Sequence, residues 1–98
     1  MAIEAMYQYG IPAVVTANTA VSAVPSVVNA IIVSSHTSGT LKLWDSTAAS
    51  GTVAMDTYTY ASGSQVIYLG GLKFNTGIFA DLGGTTQKIT IIWNTFRG

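Results

Sequence analysis

The stretch TLKLWD, residues 40–45, alternates apolar and polar side chains, and this pattern decides the fold class. On an extended strand the alternation places Leu41 and Leu43 on one face and Lys42 on the other. Nowhere in the sequence do apolar residues recur at helical spacing over ten or more positions. The sequence therefore predicts an all-β protein with little helix.

Two further segments also have patterns that predict strands, and they differ in how apolar their second face is. In KITIIWN, residues 88–94, two isoleucines and Trp93 share one face of a strand. Ile92 lies on the opposite face, which indicates that this face is also partly apolar. The nearly continuous apolar run Asn29–Val33 predicts a strand that is buried on both sides.

Residue types and turn spacing together favour a two-layer architecture. Threonine, valine and isoleucine make up 31 of the 98 residues, and their branched side chains pack well on a pleated sheet. Turn residues recur at about the 8–12-residue spacing of a sandwich or barrel, and Gly70-Gly71 and Gly83-Gly84 read as turns or bulges. We expect one domain, residues 1–98, that forms a two-sheet antiparallel β-sandwich of about eight short strands. A jelly roll and a plainer sandwich both remain open. The predicted strands are Ile3–Gln8, Ala13–Ala17, Val27–Ser34, Thr40–Asp45, Thr52–Thr59, Gln65–Leu69, Gly77–Asp81 and Lys88–Asn94.

Charge and cysteine content exclude several classes of function. Only 8% of the residues are charged, the formal net charge is zero, and 49% are hydrophobic, whereas ordinary domains carry about 25% charged residues. Four basic residues cannot form a phosphate-binding face, so we expect no nucleic acid or anionic membrane partner. The uncharged segment 11–33 contains two prolines, which predicts strands rather than a membrane helix. The absence of cysteine excludes disulfides and thiolate metal sites.

No catalytic constellation stands out in the sequence. His36 is the only histidine, and the neighbouring Ser34, Ser35 and Ser38 could act as nucleophiles if an acid came from elsewhere. Serine and threonine are so frequent here that this proximity is expected by chance, and we interpret His36 as a solvated turn residue.

The acidic residues and glycines give no site either. Glu4, Asp45, Asp56 and Asp81 lie far apart, and we expect each to end a strand or cap a turn. No phosphate-binding loop or dinucleotide fingerprint occurs. We therefore predict a protein that is not an enzyme, with no catalytic residues, cofactor, metal ion or small-molecule substrate.

The aromatic residues are the best candidates for function. Trp44 and Trp93 are expected to lie in the core rather than on a binding platform. The tyrosine pairs fit equally well as core residues or as a platform for a sugar ring or a protein partner. The candidate interface residues are Tyr7, Tyr9, Tyr58 and Tyr60. Because a neutral, apolar-rich β protein with open sheet edges tends to associate, we expect a homo-oligomer or a component of a larger lattice.

Several segments resemble small structural proteins of tailed bacteriophages. The resemblance begins at SSHTSGTLKLWD, residues 34–45, and continues through STAASGTV, residues 46–53. It includes KFNTGIFADLGGT, residues 73–85, and the strand Lys88–Asn94, and extends more loosely to 14–33. These are virion proteins rather than enzymes, so the resemblance carries no catalytic residue onto this chain.

The resemblance implies a decoration (cement) protein on the outer surface of the capsid. Such proteins bind the assembled head as homotrimers or homodimers and connect neighbouring subunits of the major capsid protein. In that role the segment through Tyr9 is expected to act as an N-terminal arm or exchanged strand that adds to a neighbour's sheet. One alternative is a tail, baseplate or fibre-associated module whose aromatic pairs bind a host glycan. A small hydrolase is the remaining alternative.

Overall fold

The described chain consists of strands joined by short turns. The computed structural model describes residues 10–84 and 86–95, and within them there is no helix, hence none that could span a membrane. The strands are β1 Ile11–Val15, β2 Thr19–Ser22, β3 Ser26–His36, β4 Thr40–Asp45, β5 Thr52–Thr59, β6 Gln65–Phe74, β7 Ile78–Gly83 and β8 Gln87–Thr95. The all-β prediction, with eight strands, is confirmed.

The strands form two four-stranded antiparallel sheets, in the orders β1-β8-β3-β6 and β2-β7-β4-β5. The pairs β1–β8, β2–β7, β3–β6 and β4–β5 nest inside one another along the chain and alternate between the two sheets. This arrangement is a long hairpin wound across two layers, which is the strand order of a jelly roll. Among the described strands it leaves four edge strands, β1 and β6 in one sheet and β2 and β5 in the other.

The core lies between the two sheets and is supplied by alternate residues of both. Leu41 and Leu43 are fully buried, and so are Ile89 and Ile91, which confirms the faces predicted from TLKLWD and KITIIWN. Trp93 packs against the same cluster. Removing these branched side chains from water is the main favourable contribution to folding. The buried hydrophobic cluster is Val15, Val28, Ile31, Val33, Leu41, Leu43, Tyr60, Phe74, Ile78, Ala80, Ile89 and Ile91.

At the N-terminal side, one predicted strand is not tested and another differs from the observed strands. The predicted strand Ile3–Gln8 lies outside the described residues. The predicted strand Ala13–Ala17 is shifted, since β1 ends at Val15 and a second strand, β2, follows at Thr19–Ser22. The sequence does not predict that second strand, because its four residues, TAVS, are too few to show a periodic pattern.

The prediction that Asn29–Val33 is buried on both sides is wrong. Ile31 and Val33 are fully buried, but Ile32 between them is 39% exposed. The physical reason is that the core covers one face of this sheet and no described residue covers the other.

The glycine pair Gly70-Gly71 forms a bulge inside β6 rather than ending the strand. Tyr68 pairs with Ala30 and Leu72 pairs with Val28, so three residues of β6 stand opposite one of β3. Both glycines have positive φ angles, 65° and 91°, which side chains with a Cβ rarely adopt. The bulge lets the strand continue to Phe74, beyond the predicted end at Leu69.

Candidate interaction surfaces

The outer face of the sheet β1-β8-β3-β6 carries two mostly apolar rows that cross all four strands. We call this surface the apolar face. Its side chains alternate along the strands with side chains that are buried in the core or partly buried, and therefore point away from the second sheet. In strand order β1, β8, β3 and β6, the rows are Val14, Thr90, Ile32 and Val66, and Pro12, Ile92, Ala30 and Tyr68.

Several side chains of the apolar face are open to solvent. Tyr68 and Val14, on the two edge strands, are 82% and 67% exposed, and Val66 is 46% exposed. The described charged residues of this sheet, Lys73 and Lys88, pair with Val27 and Ser35, outside the two rows. An exposed apolar patch with a polar rim is typical of an interaction site.

Sequence reasoning found only part of the apolar face. Ile92 indicates that the second face of β8 is partly apolar, but the local sequence does not identify Val66 and Tyr68 as surface residues of the same patch. The register that aligns them with Ile32 and Ala30 joins residues more than thirty positions apart, and no local pattern reports such pairing.

The outer face of the second sheet carries a polar and aromatic cluster around Trp44. The indole Nε1 donates to Asp81 Oδ2 at 3.2 Å, and Lys42 Nζ lies 4.5 Å from the centroid of the ring. Asn18 extends the cluster, because its Nδ2 donates to Asp81 Oδ1 at 3.4 Å and its Oδ1 accepts the N–H of Leu82 at 2.8 Å. Trp44 therefore lies outside the core, contrary to the prediction.

The structure describes two of the four candidate interface tyrosines, and these two differ in exposure. Tyr7 and Tyr9 lie outside the described residues. Tyr58 is 39% exposed at the end of β5. Tyr60 is only 7% exposed and belongs to the core cluster, so of the two interpretations left open by the sequence it fits the core residue and not the candidate interface residue. Its ring still contacts that of Tyr58, with centroids 6.2 Å apart.

Tyr60 is buried together with a glutamine that bridges the two sheets. Its hydroxyl donates to Gln87 Oε1 at 2.9 Å, and burial raises the pKa of Tyr60 to about 12. Gln87, at the start of β8, donates from Nε2 to the carbonyl oxygens of Thr40 and Gly83 in the other sheet. A buried amide thus gives three polar groups a hydrogen-bond partner between the sheets.

His36 is not the solvated turn residue that the sequence suggested. It is the last residue of β3 and half-buried, with its ring 4.9 Å from that of Tyr60. Its Nδ1 accepts the N–H of Gly39 at 3.2 Å, and its Nε2 lies 2.7 Å from the carbonyl oxygen of Ala61. A carbonyl can only accept, so the contacts assign the hydrogen to Nε2. Both ring nitrogens therefore hold backbone loops, and neither contacts a serine or a carboxylate among the described residues.

The expectation that each acidic residue ends a strand or caps a turn is confirmed for Asp45, but it is wrong for Asp56 and Asp81, which lie inside β5 and β7. The Asp45 carboxylate accepts the backbone N–H groups of Asn75, Thr76 and Gly77 at 3.0, 2.7 and 3.4 Å. Burial acts to raise its pKa, but the three hydrogen bonds outweigh burial and hold the pKa of Asp45 below the usual 3.8. Within residues 10–84 and 86–95, no three His, Asp or Glu side chains are grouped to hold a metal ion.

Comparison of the chain with models of protein families finds no matching family, and comparisons with curated proteins and with solved structures find no match either.

Proposed function

We propose that this chain is a non-enzymatic structural protein of a bacteriophage virion, of the capsid decoration (cement) type. In this proposal it binds the outer surface of the assembled head as a homotrimer or homodimer. It stabilises the contacts between neighbouring major capsid subunits. The observation that carries the proposal is the apolar face, which crosses four strands without a charged side chain in either row.

The apolar face favours a role in a permanent assembly over a free existence in solution. Val14, Val66 and Tyr68 expose large hydrophobic surfaces, and covering such surfaces is favourable by about 25 cal/mol per Å². The formal net charge of zero gives the chain little electrostatic protection against association. A binding partner that covers the face would bury these apolar side chains and would keep them from causing aggregation.

Fold and sequence resemblance agree with this proposal. Two-sheet jelly rolls occur in viral capsid domains, although lectins and other proteins share them. The resemblance to small virion proteins of tailed phages adds the link to a phage head. Mechanistically, a protein that binds the assembled shell but not its separated subunits stabilises the shell by mass action. Many identical contacts on one particle then add through multivalency.

The test of this function is a charge placed in the middle of the apolar face. In the phage that encodes this chain, we expect Ile32→Lys to reduce the number of copies on purified heads by at least about tenfold. The lysine ammonium would lose its hydration when the face is covered. Quantitative mass spectrometry of heads and of tails, separated after disruption of the virions, measures the occupancy.

Val53→Lys is the matched control for this experiment. Val53 is 38% exposed against 39% for Ile32, but it lies on edge strand β5 of the other sheet. The control should keep full occupancy, and thermal melts should show that both variants fold. Unchanged occupancy of Ile32→Lys would exclude the apolar face as the binding site, and a chain found only in tails would refute the decoration function.

A second candidate function, glycan binding by a tail-associated module, is favoured by the cluster around Trp44. An indole ring next to a carboxylate and an amide has the groups that stack on and hydrogen-bond to a sugar. If this candidate is correct, titration with host lipopolysaccharide oligosaccharides should change the tryptophan fluorescence. Trp44→Ala should abolish the change, whereas Trp93→Phe, on the other sheet, should retain it. No change over millimolar concentrations would exclude this candidate.

A further inference from the structure

Three of the four sheet edges formed by the described residues carry features that hinder pairing with another chain. β1 contains Pro12, which has no N–H to donate. β2 has only four residues and a register break against β7. β5 has two register breaks against β4 and carries Asp56. Short edges, bulges, prolines and charges are the common means by which β proteins avoid edge-to-edge association.

The first half of β6 has none of these features. The segment Gln65–Leu69 (QVIYL), which we call the open edge, contains no proline and no charged residue. It pairs regularly with β3 along one side, from Gln65 with Val33 to Tyr68 with Ala30. No strand in the described part of the chain pairs with its other side. Tyr68, 82% exposed, is the most exposed of the large hydrophobic residues identified on the described surface.

We propose that the open edge is a self-association site, where Gln65–Leu69 pairs antiparallel with the same segment of a second copy. The two-fold axis passes beside Ile67. The inference deepens the proposed function, because it names the surface that forms the homo-oligomer and favours a dimer. It places β6, rather than the N-terminal arm, at the contact between copies.

The side chains of the open edge are complementary to themselves in this register. With Ile67 at the axis, Val66 of each copy lies directly opposite Tyr68 of the other, on the outer face. Aromatic and β-branched residues form favourable cross-strand pairs, and the two-fold axis makes this pair twice. The nearest charged residue along β6, Lys73, lies beyond the Gly70-Gly71 bulge, so like charges do not meet.

Pairing at the open edge would also extend the apolar face. Val66 and Tyr68 end the two rows at β6, and each row would continue into the opposite row of the second copy. Two four-stranded sheets would become one eight-stranded sheet with a continuous apolar surface. Both copies would then present their apolar faces in the same direction, as binding to a common capsid surface requires.

Cysteine crosslinking tests the site and its register, because the chain has no cysteine of its own. Purified Val66→Cys and Tyr68→Cys chains are mixed and oxidised mildly. Directly opposed residues of an antiparallel pair have Cα atoms about 4.5–5.5 Å apart, within the range of a disulfide. Two copies of the same residue, offset by two positions, would be about 8 Å apart, beyond that range. The mixture should therefore give a disulfide-linked heterodimer, and each variant alone should give little.

The matched crosslinking control uses the protected edge β5. Thr57→Cys and Thr59→Cys are exposed and two positions apart on that strand, and their mixture should give only background crosslinking. A Val66/Tyr68 mixture that crosslinks no more than this control would overturn the inference. Crosslinking as strong in either single variant as in the mixture would overturn the stated register.

Sedimentation equilibrium of cysteine-free variants gives an independent measurement. Tyr68→Lys removes both symmetry-related Val–Tyr pairs and should raise the dimer dissociation constant by about tenfold. Val14→Lys should leave it unchanged, because Val14 is on the same face but on the opposite edge strand. An unaltered constant for Tyr68→Lys, or a wild-type chain that stays monomeric at millimolar concentration, would refute self-association at this edge. These experiments need no phage particle, so their failure is distinct from a failure of the decoration function.

Discussion

Replacing Gln87 with leucine is expected to lower the free energy of unfolding by about 3 kcal/mol. Gln87 is 3% exposed and satisfies the Tyr60 hydroxyl and the carbonyl oxygens of Thr40 and Gly83. Leucine fills a similar volume but leaves three polar groups without this partner, at about 1 kcal/mol each. Urea denaturation of the purified chain measures the change.

Tyr60→Phe is the control that separates one hydrogen bond from three. It removes only the bond from the Tyr60 hydroxyl to Gln87 and should cost about 1 kcal/mol. Adding Gln87→Leu in that background should then cost about 2 kcal/mol, because one of its three bonds is already absent. A Gln87→Leu chain as stable as the wild type would contradict the bridge between the sheets.

Tyr60 also predicts that the free energy of unfolding decreases at alkaline pH. The pKa of Tyr60 is raised from 10.0 to about 12 in the folded chain. Between these values the unfolded chain releases the phenol proton while the folded chain retains it. The contribution of Tyr60 is therefore complete below about pH 10 and is lost as the pH rises towards 12. Tyr60→Phe should lack this part of the decline.

Asp45→Ala is expected to cost about 2 kcal/mol at neutral pH. The carboxylate at the end of β4 accepts three backbone N–H groups of the turn between β6 and β7, and hydrogen bonds to a charged group contribute more than neutral ones. In the alanine variant the three N–H groups can bond only to water, and the turn loses its hydrogen bonds to the end of β4. Thermal melts of the variant and the wild type measure the loss.

The decrease in stability at acidic pH tests the role of the charged Asp45 carboxylate. The pKa of Asp45 is held below the usual 3.8 by the three hydrogen bonds, against the effect of burial. Its contribution is thus complete above about pH 4 and is lost as the pH falls through the lowered folded value. Asp45→Asn keeps the shape but has no carboxylate to titrate, so its melting temperature should fall less over this range. Parallel acid limbs for the two proteins would show that the carboxylate does not anchor the turn.

Alternation and residue type were sufficient to predict the fold class and much of the core. Leu41 and Leu43 were placed inward because Lys42 between them is charged, and burial agrees. The hidden strand β2 was not predicted, because four residues carry no period. The local sequence does not determine the strand order, since the pairing of β1 with β8 depends on contacts across most of the chain.

The candidate sites were less predictable than the fold. Tyr60 follows Tyr58 by two positions, so an extended strand would place both on one surface. However, β5 ends at Thr59, and Tyr60 turns into the core to reach Gln87. Nothing in the local sequence marks Gln87 as a buried bridge. The apolar face likewise emerges only once Ile32, Val66 and Tyr68 are aligned by pairing between distant strands.

The nested pairing of the strands also governs how the molecule can be made. Only the β4–β5 pair joins neighbouring segments around the middle of the winding, and each further pair must close a longer loop. β3 and β1 both pair with β8, which is synthesised after all the other strands. The sheet that bears the apolar face therefore cannot be completed until β8 has been synthesised. Until then β1 has no partner strand in its sheet and β3 can pair only with β6, so slow closure competes with aggregation.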